Sequence, residues 1–210
     1  MKILLTGSTG YIGRRLLPVL LDAGHQVICL VRYRRKFDWD GFPKESLNQI
    51  IVVEGDLGDE KSLTQVVQDV DVAFYLVHSM SSGSPDFADR ERESALNFVN
   101  LVERYNAKQI VYLGGIVNDQ ELSAHLQSRK NVEDTLQKSK IHVTVLRAAI
   151  IIGSGSASFE IIRDLVEKLP VMIAPRWLKT QCQPIAIRNV LEYLYGVMLK
   201  EEAFDKTFDI

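Results

Sequence analysis

The chain predicts an α/β fold: a doubly wound parallel sheet with helices on both faces. Three observations carry that expectation. Short apolar runs of strand length alternate with longer segments of 3.6-residue period. A glycine-rich turn, Thr6-Gly7-Ser8-Thr9-Gly10-Tyr11-Ile12-Gly13, separates the first apolar run from the first helical pattern. The 210 residues carry no linker, repeat or low-complexity tract, which suits a single domain over 1–210 with a full core.

Taken in order, strands are expected at 2–5, 26–31, 49–53, 72–76, 109–113 and 142–148. Helices are expected at 11–23, 60–68, 86–105, 123–139, 158–168 and 188–199. Gly24 is a C-terminal stop for the first helix. Pro18 falls inside that helix and predicts a local bend there. The final residues, Lys206 to Ile210, read as a strand just begun.

The glycine turn supplies the first chemistry. Strand, glycine turn, helix is the context that makes a glycine pattern a dinucleotide site, so the fold is expected to be Rossmann-type. Gly7 permits the tight turn, Gly10 lets backbone approach a diphosphate, and Gly13 lets the helix pack close to the strand. The free N–H groups and partial positive charge of the helix start then face the phosphates.

Composition narrows the partners. Hydrophobic residues make up 46% and charged residues 25% of the chain, as in ordinary globular domains. A net charge of −2 gives no global attraction to nucleic acid or to an acidic membrane. Cys29 and Cys182 are far apart and at no ligand spacing, so no metal site is expected; Cys29 reads as a buried thiol. Gly7 and Gly10 end the first apolar run too early for a signal peptide, and His142 and Arg147 interrupt the 141–152 stretch. A cytoplasmic protein is the expectation.

The end of the second strand speaks to coenzyme choice. NAD-binding domains place a carboxylate there, about 20 residues past the glycines, for the ribose 2′-hydroxyl. This chain has Arg32, followed by Tyr33-Arg34-Arg35-Lys36. A guanidinium can bind a 2′-phosphate that a carboxylate would repel. Arg14, next to the third glycine, is a second candidate for the same phosphate. NADP is therefore favoured, with NAD the alternative. Arg34, Arg35 and Lys36 read equally well as a solvated run.

The Gly-x-x-Gly-x-x-Gly spacing, with Thr6 before it and Tyr11-Ile12 inside it, resembles the short-chain dehydrogenase/reductase superfamily. Within it the chain is similar to the extended and atypical branches, which include sugar-nucleotide epimerases and NmrA-like proteins. That resemblance implies cofactor contacts from Gly7, Thr9, Gly10, Tyr11, Ile12 and Gly13. It implies that Asp56 accepts from the adenine amine and Leu57 packs on the ring, although an Asp there is also a routine helix cap. It implies that Ala148, in the run Arg147-Ala148-Ala149-Ile150, borders the nicotinamide carboxamide. It also implies a substrate region within 150–210, with Arg176, Trp177 and Gln183 as its polar and aromatic groups, though Trp177 also fits a core role. In extended relatives a strand like that at Lys206 leads into more structure, so truncation at the C-terminus is expected. The helix at 86–105 implies a homodimer on the same ground, while its charges at 89–93 fit plain solvated surface.

The superfamily's catalytic set is missing. Its reductases use Tyr-x-x-x-Lys on a helix and a Ser at the preceding strand end. No Tyr in this chain has Lys four residues later. The corresponding segment puts His125 in the tyrosine's place and Arg129 in the lysine's, on one helix face. The strand end reads Tyr112-Leu113-Gly114-Gly115, without a hydroxyl where Ser would stand. Arg129 can keep the ribose contacts but cannot act as a base. His125 titrates near neutrality, and His78 follows the fourth strand, where open α/β sheets bind ligands. Each is a candidate proton donor and each also fits a structural role. The expected function is thus an NAD(P)(H)-binding, oxidoreductase-like protein acting on a small molecule without the Ser-Tyr-Lys set. A non-catalytic NADP(H)-sensing module and a sugar-nucleotide epimerase or dehydratase are the alternatives.

Overall fold

The computed structural model describes residues 1–65, 69–78, 87–117, 124–168 and 182–210. Seven parallel strands form one sheet: β1 (Lys2–Thr6), β2 (Gln26–Val31), β3 (Ile50–Glu54), β4 (Val72–Tyr75), β5 (Gln109–Gly115), β6 (His142–Ala148) and β9 (Thr207–Asp209). Their spatial order is β3-β2-β1-β4-β5-β6-β9. Two short strands, β7 (Ile151–Ile152) and β8 (Ile185–Ala186), pair separately. The chain builds outward from β1 to β3 and then returns to β4 on the other side of β1. That reversal opens a crevice at the carboxyl ends of β1 and β4, where ligands of open α/β sheets bind.

Strand alternation divides the core in two. Ile3, Leu5, Val27, Cys29, Val72 and Phe74 face one side, with Leu16, Leu17 and Leu20 of α1 (Tyr11–Asp22) and Val190 and Leu194 of α5 (Ile187–Gly196). Leu4, Ile28, Ala73 and Tyr75 face the other, with Phe98 and Val102 of α2 (Phe87–Arg104) and Val132 and Leu136 of α3 (Ala124–Leu136). Both faces are covered, so the strands read as near-continuous apolar runs rather than alternating ones. Helix α4 (Ala157–Lys168) follows β7.

Helix α1 stays continuous through Pro18. It ends on a Schellman cap: Gly24 adopts φ +77°, its N–H meets the Leu21 carbonyl at 2.8 Å, and the His25 N–H meets that of Leu20 at 3.1 Å. The helix expected at 60–68 is instead a 3₁₀ turn over Glu60–Gln65, with 66–68 outside the described residues. Ser62 and Asp59 cause the difference. The Ser62 hydroxyl donates to the Asp59 carbonyl at 2.7 Å, and the Lys61 N–H to the Asp59 side chain at 3.1 Å, bonds that compete with a helical ladder. The last helix stops at Gly196, short of the expected 199. Buried Gln109 captures the Leu199 N–H at 2.5 Å and donates to the Val197 carbonyl at 3.0 Å, turning the chain toward β9. Among the described residues no helix is long and apolar enough to cross a membrane.

Candidate functional site

The glycine turn is shaped by close approaches. Gly7 adopts φ +71°, and any Cβ there would collide with the Leu76 carbonyl beyond β4. A Cβ on Gly13 would collide with the Gly7 carbonyl. Gly10 donates to the Gly7 carbonyl at 2.9 Å and caps α1 without any side-chain hydrogen bond. The Arg14 N–H bonds the Gly10 carbonyl at 3.0 Å, so the amides of Tyr11, Ile12 and Gly13 precede the first intrahelical bond. No acidic residue lies in this first turn. Thr6 fixes the adjoining wall: its hydroxyl donates to the Phe74 carbonyl at 2.9 Å and accepts from the Leu76 N–H at 3.2 Å.

Beside this turn lies a cleft of about 590 Å³ at the carboxyl ends of β1 to β4. Of the expected site residues it gathers Gly7, Thr9, Gly10, Arg32, Asp56, Leu57 and His78 along its walls. Arg32 is exposed on the rim. Asp56 is held in place by its Oδ1, which accepts the Gly58 N–H at 2.9 Å, and by Ser62, which meets its backbone N–H at 2.8 Å. Leu57 is buried in the core as well as lining the cleft, and its carbonyl accepts from Asn97 Nδ2 at 2.8 Å. Sequence reasoning missed Asn97. Its signal is an amide between Leu96 and Phe98 in the middle of α2, a buried polar group that must find a partner.

Arg14 is not on this cleft. It lies on the other side of the glycine turn, where its guanidinium pairs with Asp38 at 2.8 Å. Tyr11 also turns away. Arg15 stacks over its ring at 3.9 Å, and its hydroxyl is buried against Gly153, without a hydrogen-bond partner among the described residues. Ile12 packs on the core.

At the end of β5 the chemistry is different. Arg129 of α3 lies across Gly115: a Cβ there would sit 3.4 Å from its Cδ and 3.6 Å from a guanidinium nitrogen. The same Cβ would press on the end of the Leu126 side chain at 3.1 Å. Tyr112 cannot replace the missing tyrosine. Its ring is buried, its hydroxyl donates to the Arg129 carbonyl at 3.2 Å, and burial pushes its pKa well up. Tyr75, at the end of β4, is also buried and raised. His78 is half-buried, and its Nε2 donates to the Leu113 carbonyl at 3.1 Å, which anchors the ring to β5. Buried Glu91 of α2 lines the cleft and accepts from Ser128 of α3 at 3.4 Å.

The other expected residues stand as follows. Ala148 ends β6 in the core rather than on the cleft wall, its carbonyl accepting the Ile116 N–H at 3.4 Å. Next to it, Arg147 makes a bidentate pair with buried Glu133 of α3, at 2.6 and 3.0 Å. Gln183 is exposed. The His125 side chain, Arg176 and Trp177 lie outside the described residues.

The arrangement fits a dinucleotide. A helix start with unbonded amides, a turn in which two Cβ atoms would clash, and a rim guanidinium are what a diphosphate and a charged ribose require. These features define a Rossmann-type dinucleotide-binding protein. The chain belongs to the NAD(P)H-binding family, whose model matches residues 7–168, and to the atypical short-chain dehydrogenase/reductase branch. It is 26% identical over 150 residues to photosystem II assembly factor Ycf39 of Synechocystis, covering 71% of this chain and 44% of that protein. It is 24% identical over 223 residues to divinyl chlorophyllide a 8-vinyl-reductase of Arabidopsis thaliana, covering 100% and 53%. The chain thus spans about half the length of these curated relatives. Its fold matches Gre2 of Candida albicans in complex with NADPH, with a TM-score of 0.81, 17% identity, and 100% and 78% of the two chains covered. It matches UDP-glucose 4-epimerase of Thermotoga maritima with a TM-score of 0.76, 17% identity, and 100% and 76% covered.

Proposed function

We propose that the chain is the coenzyme-binding part of an NADPH-dependent oxidoreductase that acts on a small molecule without a Ser-Tyr-Lys set. The observation that carries this reading is the cleft itself, where the glycine turn, Arg32 and Asp56 share one wall system. The amides at the start of α1 would hold the diphosphate, Arg32 the 2′-phosphate, Asp56 and Leu57 the adenine, and Arg129 the nicotinamide ribose. The bound coenzyme would supply a hydride. Proton delivery would fall to His125 or to His78, whose ring is anchored to the Leu113 carbonyl. The cytoplasm is the compartment proposed, and free, buried Cys29 agrees with a reducing one.

A second reading has its own support. At the β5 end Tyr112 is committed to backbone, His78 is anchored and no strand-end hydroxyl faces the cleft. A non-catalytic NADP(H) sensor would look this way, and one relative is named an assembly factor. An epimerase or dehydratase is disfavoured by the lost tyrosine.

Calorimetric titration with NADPH and NADH tests coenzyme binding. Arg32→Asp should weaken NADPH and strengthen NADH, a combined change in preference of about 10- to 100-fold. An unchanged preference removes Arg32 from the phosphate role. Turnover of NADPH with aldehydes, ketones, quinones or enones, abolished in His125→Ala or His78→Ala, favours the enzyme. Tight binding without turnover favours the sensor.

A further inference from the structure

Four of the five residues that follow β2 are cationic: Arg32, Arg34, Arg35 and Lys36. Such a run repels itself, and a loop that wanders offers no defined phosphate site. In this protein it does not lack anchors. Arg34 opens a 3₁₀ turn over Arg34–Lys36, and the preceding residue, Tyr33, gives it no side-chain cap. The missing acceptor comes from the neighbouring strand. Glu54, the last residue of β3 and in register with Val31, accepts the Arg34 N–H on its Oε2 at 2.8 Å. At the other end the Lys36 and Phe37 amides close the turn at 3.0 and 3.1 Å, and the Phe37 ring is buried against Trp39 and Phe42. Between these anchors Arg35 and Lys36 sit over the Tyr33 ring, at 5.7 and 5.2 Å.

We propose that Glu54 is a positioning residue for coenzyme choice: its carboxylate holds the basic turn so that Arg32 and its neighbours meet a 2′-phosphate. This rests on the reading of Arg32 given above. Charge alone predicts the reverse, because a carboxylate near the rim repels a phosphate and its removal should help NADPH. Glu54 is exposed, so that repulsion is screened through water and weak. The hydrogen bond to Arg34 is local and geometric, and it wins.

The test is titration of NADPH and NADH into the wild-type chain, Glu54→Ala and Glu54→Gln, with melting temperatures measured alongside. Alanine removes the acceptor. It should cost NADPH affinity about three- to tenfold, the worth of one charge-assisted surface hydrogen bond, and leave NADH unchanged. Glutamine keeps a side-chain carbonyl and loses the charge, so it should retain most of the wild-type preference. Equal or tighter NADPH binding in Glu54→Ala overturns the proposal in favour of simple repulsion. Equal losses for both coenzymes with a lowered melting temperature overturn it in favour of a purely structural role. A wild-type chain with no preference for NADPH brings down the Arg32 reading and this proposal together, whereas a wild-type preference that survives Glu54→Ala removes Glu54 alone.

Discussion

At the β1–β3 end of the cleft, polar groups face open space; at the β5–β6 end, groups of the same kinds face each other. Arg32 stands on a rim, and the amides of α1 point outward from a helix start that has no side-chain cap. By contrast Arg147 is locked to Glu133, the Tyr112 hydroxyl to Arg129, and His78 to Leu113. The first region has the form of a receptor. In the second, the polar atoms hold α3 and the strand ends together, and the Arg129 side chain lies beside Gly115 at the end of β5. Shared ancestry of fold preserves the binding half of a site more readily than the reacting half, since backbone geometry makes the first and side-chain identity makes the second.

Four substitutions break or sharpen this contrast. The largest effect is expected at Gly7→Ala. A Cβ would meet the immovable Leu76 backbone in a left-handed conformation, so binding of either dinucleotide should vanish in titration. Chemical denaturation should show a loss of roughly 2–4 kcal/mol. Next, Glu133→Ala would leave Arg147 without its partner in a mostly buried position. A destabilisation of about 3 kcal/mol is expected by urea denaturation, with NADPH affinity measured at low temperature little altered. A large loss of affinity would show that the β6 end takes part in binding after all.

Tyr112→Phe is smaller. Losing one hydrogen bond to the Arg129 carbonyl should cost about 1 kcal/mol. Any turnover should keep its pH profile; a shifted basic limb would make Tyr112 a proton donor and erase the contrast. The smallest effect concerns Asp71, at the opposite end of the sheet from the cleft. The Lys108 ammonium, and then the Lys2 N–H, hold its carboxyl below the usual range. A depressed folded-state pKa stabilises the fold above the ordinary carboxylate range, and that contribution fades as pH falls through the folded value. Asp71→Asn should therefore lower the melting temperature at neutral pH and flatten its decline below about pH 4. NADPH affinity should not change.

Much of the β1–β3 end of the cleft was legible in the sequence because it depends on local rules. The three glycines announce a turn whose carbonyls and helix start must pass within van der Waals limits. Arg32 is placed by the end of a strand, and strand ends can be counted. The turn at Glu60–Gln65 was less legible: its apolar spacing fits a helix, while the Ser62 and Asp59 side chains compete for its backbone groups. Arg14 stands next to Gly13, and the sequence does not announce that its guanidinium pairs with Asp38, 24 residues away. Asn97, Glu133 and Gln109 each carry a long-range bond that nothing nearby in the chain announces.

The sequence by itself determined the parallel sheet, the covering of both faces and the tight glycine turn between β1 and α1, since each follows from hydrophobic period and from where only glycine fits. Only the tertiary structure decided which polar groups stay available to a ligand. That depends on which distant atoms fold back against them, and a hydrogen bond across the sheet leaves no periodic trace along the chain.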